Sequence, residues 1–307
     1  MTGAKQSSPW PLISSLLDLV ESAPAKVNLT LRVLGRRADG YHDIESLVVF
    51  ADVADRLALT PGDALTLTVN GPRAAQSGAV ADNLVIKAAR ALTARLPKLR
   101  AGAFHLEKNV PVAAGLGGGS ADAAAALRLL ARANKIDRDD PRLHDAARET
   151  GADVPVCLDP RTRLMRGIGE ILSAPLPLPR LHALLVNPGV AVPTKTVFSG
   201  WSLSPNFTSV STAAADAALA KISNERQLLE WLKREANDLQ PPAIALAPAI
   251  AEVLAELRAA AGCRLARMSG SGATCFGLFS SHAETAAAGK MLRAQFPHWW
   301  ISETVLG

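Results

Sequence analysis

Cysteines, aromatic residues and clustered charge are all scarce in this chain of 307 residues. The three cysteines, Cys157, Cys263 and Cys275, form no Cys-x-x-Cys pair and leave an odd thiol in any disulfide scheme. That spacing speaks against a disulfide framework and for a reducing, cytoplasmic setting in which the thiols serve as small apolar residues. Aromatics make up 4% of the chain and are not interleaved with runs of Lys and Arg, which removes the stacking platform of a single-strand nucleic-acid binder. The histidines are scattered without metal-ligand spacing, so no zinc site is expected. No stretch approaches the roughly 20 apolar residues that span a bilayer. Residues 1–23 also lack the basic, apolar and small-residue succession of a signal peptide, and read as an extension outside the folded unit. The net charge of +5 is spread thinly and suits anionic small molecules.

Glycine, by contrast, is concentrated. Pro111-Val112-Ala113-Ala114-Gly115-Leu116-Gly117-Gly118-Gly119-Ser120 runs directly into the alanine-rich stretch Ala121 to Leu130. Consecutive glycines let backbone N–H groups converge on one concavity, and the helix that follows adds its unpaired first-turn donors and positive dipole end. The stretch lacks the Gly-Lys-Ser/Thr of a P-loop, and Ser120 stands where a dinucleotide fingerprint needs its third glycine. Alone, it is compatible with another kind of phosphate loop or with a flexible strand-to-helix turn.

At this length two domains are expected. From Ala25, residues Val27, Leu29, Leu31 and Val33 alternate with Lys26, Asn28 and Thr30, which predicts a strand with one core face and one polar face. Ile44 to Phe50 and Arg56 to Val69 read as further strands, the second broken at Pro61-Gly62. Residues 82–96 have helical spacing with Asp82 or Asn83 as cap, and 103–110 alternate again into the glycine loop. Pro141 to Thr150 predicts a helix stopped by Gly151, and the Pro-rich passage 174–179 marks the change of domain. Beyond it lie a strand at Leu181 to Asn187, helices at Asn224 to Leu239 and Ala247 to Ala261, and a strand–glycine loop–strand at Leu265 to Phe279. Ser202 to Ala220 reads as a loop leading into a helix.

Several polar residues have two readings each. Lys26 is either a solvated surface lysine or a cation facing the glycine loop. Asp153, between a helix end and a Val-Pro step, is either an Asx cap or a carboxylate for proton abstraction. If both faced the loop they would meet the needs of phosphoryl transfer to a hydroxyl. Asp122, in the first turn after the loop, either complements the helix dipole or helps hold magnesium. Tyr41 and His42 follow the Asp39-Gly40 turn and offer packing or a stacking face for a flat polar ligand. Met268-Ser-Gly-Ser-Gly-Ala-Thr274 is a turn or a second loop of backbone donors.

Taken together, Pro24-Ala-Lys26-Val-Asn28, Arg37-Ala-Asp39-Gly-Tyr41-His42, Pro111 to Ser120, Gly151-Ala-Asp153-Val-Pro155 and Ser269-Gly-Ser-Gly-Ala-Thr274 resemble the GHMP kinase superfamily. The Ala-Asp-Gly-Tyr-His string points to the branch that phosphorylates the 2-hydroxyl of a cytidine diphosphate-linked methylerythritol, a step toward isoprenoid precursors. The resemblance implies a mixed α/β (α+β) fold of two domains. The first, residues 24–175, would be like ribosomal protein S5 domain 2, and the second, residues 176–307, would be ferredoxin-like. It implies ATP, delivered with Mg2+, and a small-molecule acceptor rather than nucleic acid or membrane. Asp153 would be the general base with Lys26 as electrostatic partner. Pro111, Val112, Ala113, Ala114, Gly115, Leu116, Gly117, Gly118, Gly119, Ser120 and Ala121 would hold the ATP phosphates. Asn83, Leu84 and Lys108 would lie near adenine, and Asn28, Tyr41, His42 and Phe198 would receive the cytidine diphosphate portion. One departure stands out: Ala121 follows Ser120 where the family often has a second serine, so a hydroxyl contact to phosphate or magnesium is missing. Homoserine- or mevalonate-type acceptors, and a non-catalytic nucleotide-binding protein, are the alternatives.

Overall fold

The computed structural model describes residues 19–201 and 212–307, so most of the expected loop at 202–220 and residues 1–18 lie outside the described residues. The first half contains β1 (Val20–Asn28), β2 (Arg32–Arg36), β3 (His42–Thr60), β4 (Thr66–Asn70), α1 (Leu84–Arg95), β5 (Ala103–Glu107), α2 (Gly118–Ala133), α3 (Pro141–Thr150), α4 (Val154–Leu158), β6 (Arg163–Gly167) and β7 (Ile171–Leu172). The second contains β8 (Leu181–Asn187), α5 (Thr194–Ser199), α6 (Thr212–Leu219), α7 (Glu225–Leu232), α8 (Gln240–Leu246), α9 (Ala249–Ala259), β9 (Leu265–Met268), β10 (Cys275–Phe279), α10 (His282–Gln295) and β11 (Trp300–Leu306).

β3 organises the first half. The two strands expected on either side of residues 51–55 are one strand, because β1, β2, β5 and β6 all pair with it antiparallel along its length. β1 starts earlier than its alternating pattern indicates: Val20 to Pro24 pair with Ala58 to Ala54, so these residues belong to the sheet rather than to an extension. α2, rich in the strongest helix former, lies buried along nearly its whole length. Its small side chains let it sit close to β1 and β3, packed against α1 and α4.

In the second half the strand order is β11-β8-β10-β9, all antiparallel. That is the fourth-first-third-second order of a ferredoxin-like unit. Leu306 of β11 pairs with Ala51 of β3, so the two sheets join through the middle of the long strand. The helix expected to run to Leu239 ends at Leu232 instead. The Arg267 guanidinium draws the Leu232 and Glu235 carbonyls aside, and the freed chain reaches Leu31, which bridges to Asn237. Cys157 and Cys275 are buried and Cys263 half-buried, all as free thiols; burial pushes the Cys157 thiol up to about 12.

Candidate active site

The glycine loop is held at its entry, middle and exit. At the entry, Asp55 of β3 accepts from the Asn109 and Val110 N–H groups at 2.6 and 2.9 Å. In the middle, Lys26 N–H donates to the Leu116 carbonyl at 2.8 Å, tying the loop to β1. At the exit, Gly117 takes φ +61°, left-handed backbone that glycine adopts without strain, and α2 begins at Gly118. The loop therefore winds into the helix two residues before Ser120, and the N–H groups of Gly118, Gly119 and Ser120 are first-turn donors without helical acceptors.

The second glycine cluster, between β9 and β10, closes against the first. Ser269 Oγ accepts from Asn28 N–H at 3.0 Å and donates to the Gly115 carbonyl at 2.9 Å. Thr274 N–H donates to the Ala114 carbonyl at 3.1 Å. Asn237 Nδ2 holds the Met268 and Gly270 carbonyls, both at 2.8 Å. The two loops approach so closely that a β-carbon on Gly115 would lie 2.4 Å from the Ser269 carbonyl oxygen.

Lys26 is no surface lysine. A shift in the β1–β3 register between Pro24 and Lys26 re-aims the strand, and Lys26, Asn28 and Thr30 are buried although alternation assigns them the polar face. The face is polar but covered by the two loops. Lys26 Nζ donates to Asn28 Oδ1 at 3.0 Å and pairs with Asp153 Oδ2 at 3.2 Å. Asp153 precedes α4 without capping it, so its carboxylate is directed to Lys26, and 37% of its side chain stays open to the cavity. A half-exposed carboxylate pinned by a buried ammonium can receive a proton while its orientation is maintained.

Beneath the loop lies a buried charge cluster. Lys108 Nζ contacts Asp55 Oδ2 at 2.5 Å and Asp122 Oδ2 at 2.6 Å, with all three side chains excluded from water. Burial alone would lower the Lys108 pKa, but the Asp122 and Asp55 carboxylates outweigh it and raise it. Burial pushes the Asp122 carboxyl up to about 7 against the opposing pull of Lys108, and Asp55 adds repulsion. Asp122 therefore does not sit in the first helical turn as a dipole partner: α2 begins four residues earlier and its side chain is turned inward. Asp55 was missed in the sequence reading, although it interrupts the apolar face shared by Val53 and Leu57, and a carboxylate on such a face needs a buried partner.

These elements line one cavity of about 1110 Å³. Lys26, Asn28, Tyr41, His42, Asn83, Leu84, Lys108, Asp153 and Phe198 all border it, as do Val112 to Gly115 and Gly117 to Ser120. Pro111, Leu116 and Ala121 do not: they are buried away from it. The Ala121 methyl packs in the core, so the absent second serine removes no cavity-facing group from this chain. Asn83 caps α1 through Val85 N–H at 2.9 Å, and Leu84 packs beside Gly119. Lys108 reaches the cavity only as the inner wall, its ammonium engaged by the two carboxylates.

At the opposite end His42 stacks on Phe198 with centroids 5.0 Å apart, and Trp201 meets the His42 ring edge-on at 5.9 Å. Burial, with the nearby Arg36 charge, lowers the His42 pKa and favours the neutral ring. Tyr41 stands exposed beside it on the turn after Gly40. Trp201 carried no signal in the sequence beyond being one of few aromatics. Among the described residues no cluster of three His, Cys, Asp or Glu side chains could hold a metal, and no helix is long and apolar enough to cross a membrane.

Residues 83–159 match the family described as GHMP kinases N terminal domain, and residues 215–298 match GHMP kinases C terminal. The chain is 56% identical over 290 residues to the 4-diphosphocytidyl-2-C-methyl-D-erythritol kinase of Rhodopseudomonas palustris, covering 94% of this chain and 97% of the relative. It is 55% identical over 297 residues to the enzyme of the same name from Methylobacterium radiotolerans, covering 94% and 99%. A crystal structure of 4-(cytidine 5'-diphospho)-2C-methyl-D-erythritol kinase superposes with a TM-score of 0.74 at 35% identity, covering 94% of this chain and 99% of the other.

Proposed function

Because the chain belongs to the 4-diphosphocytidyl-2-C-methyl-D-erythritol kinase family of GHMP kinases, we propose that it transfers the γ-phosphoryl group of ATP to the 2-hydroxyl of that cytidine diphosphate-linked acceptor. One observation supports the reading above the rest: the Lys26–Asp153 pair opens into the same cavity as the glycine loop at one end and the His42–Phe198 stack at the other. Homoserine- and mevalonate-type acceptors are not favoured, since the relatives at 55–56% identity carry the cytidylylated acceptor in their names. The reading places the enzyme in the cytoplasm.

Phosphoryl transfer asks little covalent chemistry of the protein; positioning and electrostatics dominate. In this reading the first-turn N–H groups of α2 and the loop amides receive the ATP phosphates, and Asn83 and Leu84 border the adenine. Asp153 orients the acceptor hydroxyl and takes its proton. Lys26 keeps the carboxylate aimed, and Asn28 fixes Lys26 in turn. A magnesium ion fits the oxygen donors present. The Ser120 hydroxyl borders the cavity, and Asp122 Oδ1 is a buried oxygen with no hydrogen-bond partner. Ser120 and Asp122 would hold it together with phosphate oxygens, in keeping with the few protein ligands magnesium takes at such sites. When bound it would neutralise charge developing on the phosphates.

Purified protein mixed with ATP, magnesium and the cytidylylated methylerythritol should release ADP, and Asp153→Asn should lower kcat about 10²- to 10⁴-fold while the affinity for a non-hydrolysable ATP analogue changes less than about twofold. Turnover of the variant at the wild-type rate would remove Asp153 as base. Turnover with mevalonate or homoserine in place of the named acceptor would refute the substrate assignment.

A further inference from the structure

The acceptor proposed above carries a doubly anionic diphosphate between its nucleoside and the hydroxyl that reacts, so the cavity must supply positive charge between the His42–Phe198 stack and Asp153. Four basic side chains with permanent charge border it: Lys26, Arg36, Lys108 and Lys195. Lys26 is committed to Asp153 and Lys108 to Asp55 and Asp122. Among the described residues, Arg36 and Lys195 have no carboxylate within ion-pair distance, and both are exposed toward the cavity.

Their placement is specific. Lys195 precedes Phe198 by three residues on α5, so the two side chains rise from neighbouring positions on one helix face, about 5–6 Å apart at their β-carbons. A group one turn from a base-stacking ring is at the spacing of a phosphate from its own nucleobase. Thr194, beside Lys195, is joined to Ser271 through hydroxyls 2.9 Å apart, which anchors the start of α5 to the second glycine loop. Arg36 lies directly across from His42 in the β2–β3 ladder, and cross-strand partners project from the same face. One cation therefore flanks each member of the aromatic stack.

We infer that Lys195 and Arg36 form a two-sided clamp on the acceptor's diphosphate and are specificity-determining residues of this kinase. The inference rests on the function proposed above. Burial first and the Arg36 charge second lower the His42 pKa, in keeping with the cross-strand placement of the guanidinium beside the ring. The clamp accounts for how a chain whose other two cavity lysines are neutralised can hold a dianion next to a triphosphate without mutual repulsion prevailing. It also separates recognition of the two substrates: backbone amides for the ATP phosphates, side-chain cations for the acceptor.

Calorimetric titration with CDP and with cytidine tests this without relying on turnover, since the two ligands share the nucleoside and differ in the diphosphate. Lys195→Ala and Arg36→Ala should each weaken CDP about tenfold and leave cytidine within about twofold, with a smaller CDP effect at high salt. Lys195→Arg should retain most of the CDP affinity. Thermal melting and binding of an ATP analogue show whether each variant is folded with its nucleotide site intact. Equal loss for CDP and cytidine, no loss for CDP, or a loss confined to the ATP analogue would overturn the clamp. Wild-type protein that binds neither CDP nor cytidine would overturn the proposed function and the clamp with it, whereas wild-type binding and turnover with both alanine variants unaffected overturns the clamp alone.

Discussion

Alanine placed at Gly115, Gly117 or Gly119 should produce three different outcomes, because each glycine meets a different neighbour. At Gly115 (φ +75°) a β-carbon would lie 2.4 Å from Ser269 O and 2.9 Å from Gly272 N and O, all backbone atoms of the opposing loop. The left-handed conformation costs an alanine about 1 kcal/mol. Separating the loops to make room breaks the Ser269–Gly115 and Thr274–Ala114 hydrogen bonds, at about 1 kcal/mol each, with further loss from packing. Gly115→Ala should therefore destabilise by about 3–4 kcal/mol and lower Tm by about 6–8 °C at about 2 °C per kcal/mol for a chain of this size.

At Gly117 (φ +61°) the nearest atom is Lys26 Cε at 3.0 Å, the flexible end of a side chain. Only the conformational term of about 1 kcal/mol applies to stability, but Lys26 is pushed, so kcat should fall. At Gly119 the backbone is helical and the nearest atom, Leu84 Cδ1, is 3.4 Å away. Alanine there should leave Tm unchanged or raise it by about 1–2 °C, since it is the better helix former by about 0.5–1 kcal/mol. Its methyl would project toward the cavity, so KM for ATP should rise. Differential scanning calorimetry with steady-state kinetics reads the whole series. A Gly115→Ala protein melting within about 2 °C of wild type, or below it less than Gly119→Ala does, would show that the loops are not interlocked.

Two further outcomes follow from the buried charges and the aromatic cluster. A carboxyl whose pKa is raised on folding binds its proton more tightly in the native state, so its contribution is largest at acid pH and is lost as pH rises toward about 7. Asp122→Asn should thus gain stability relative to wild type as pH rises from about 4 to about 7 and by no more above that, by the order of a few kcal/mol, measured by denaturant unfolding at each pH; a pH-independent difference would contradict the burial of a titrating Asp122. Trp201→Ala removes the edge-on partner of His42 and should weaken cytidine and CDP together by about 3–10-fold without affecting an ATP analogue. A shift in the analogue's affinity instead would place Trp201 elsewhere in the mechanism.

Much of this site is readable from residue order because its chemistry depends on local backbone. The glycine run reads as a loop leading into a helix, since alanine-rich sequence follows it and glycine adopts Gly117's conformation without strain. Asn83 as a cap and the strand–loop–strand around Ser269 are likewise local signals. Motif strings in family order, not periodicity, identified Lys26 and Asp153 as a pair. Periodicity alone would have left Lys26 in solvent, because alternation reports which residues share a face and not what covers it.

Long-range packing decided the rest. The register shift in β1, the Arg267 guanidinium that ends α7 and the bridging of β3 to β11 depend on partners that are not neighbours along the chain. So does the Asp55–Lys108–Asp122 cluster, whose members look like three unrelated surface charges until burial forces them together. Composition spoke against a membrane-spanning helix and a nucleic-acid stacking platform, and the motifs carried the family and the reaction. Which charges remained available to a substrate was a property of the folded chain alone, because an ion pair is made by proximity in space and leaves no trace in the spacing of the residues that form it.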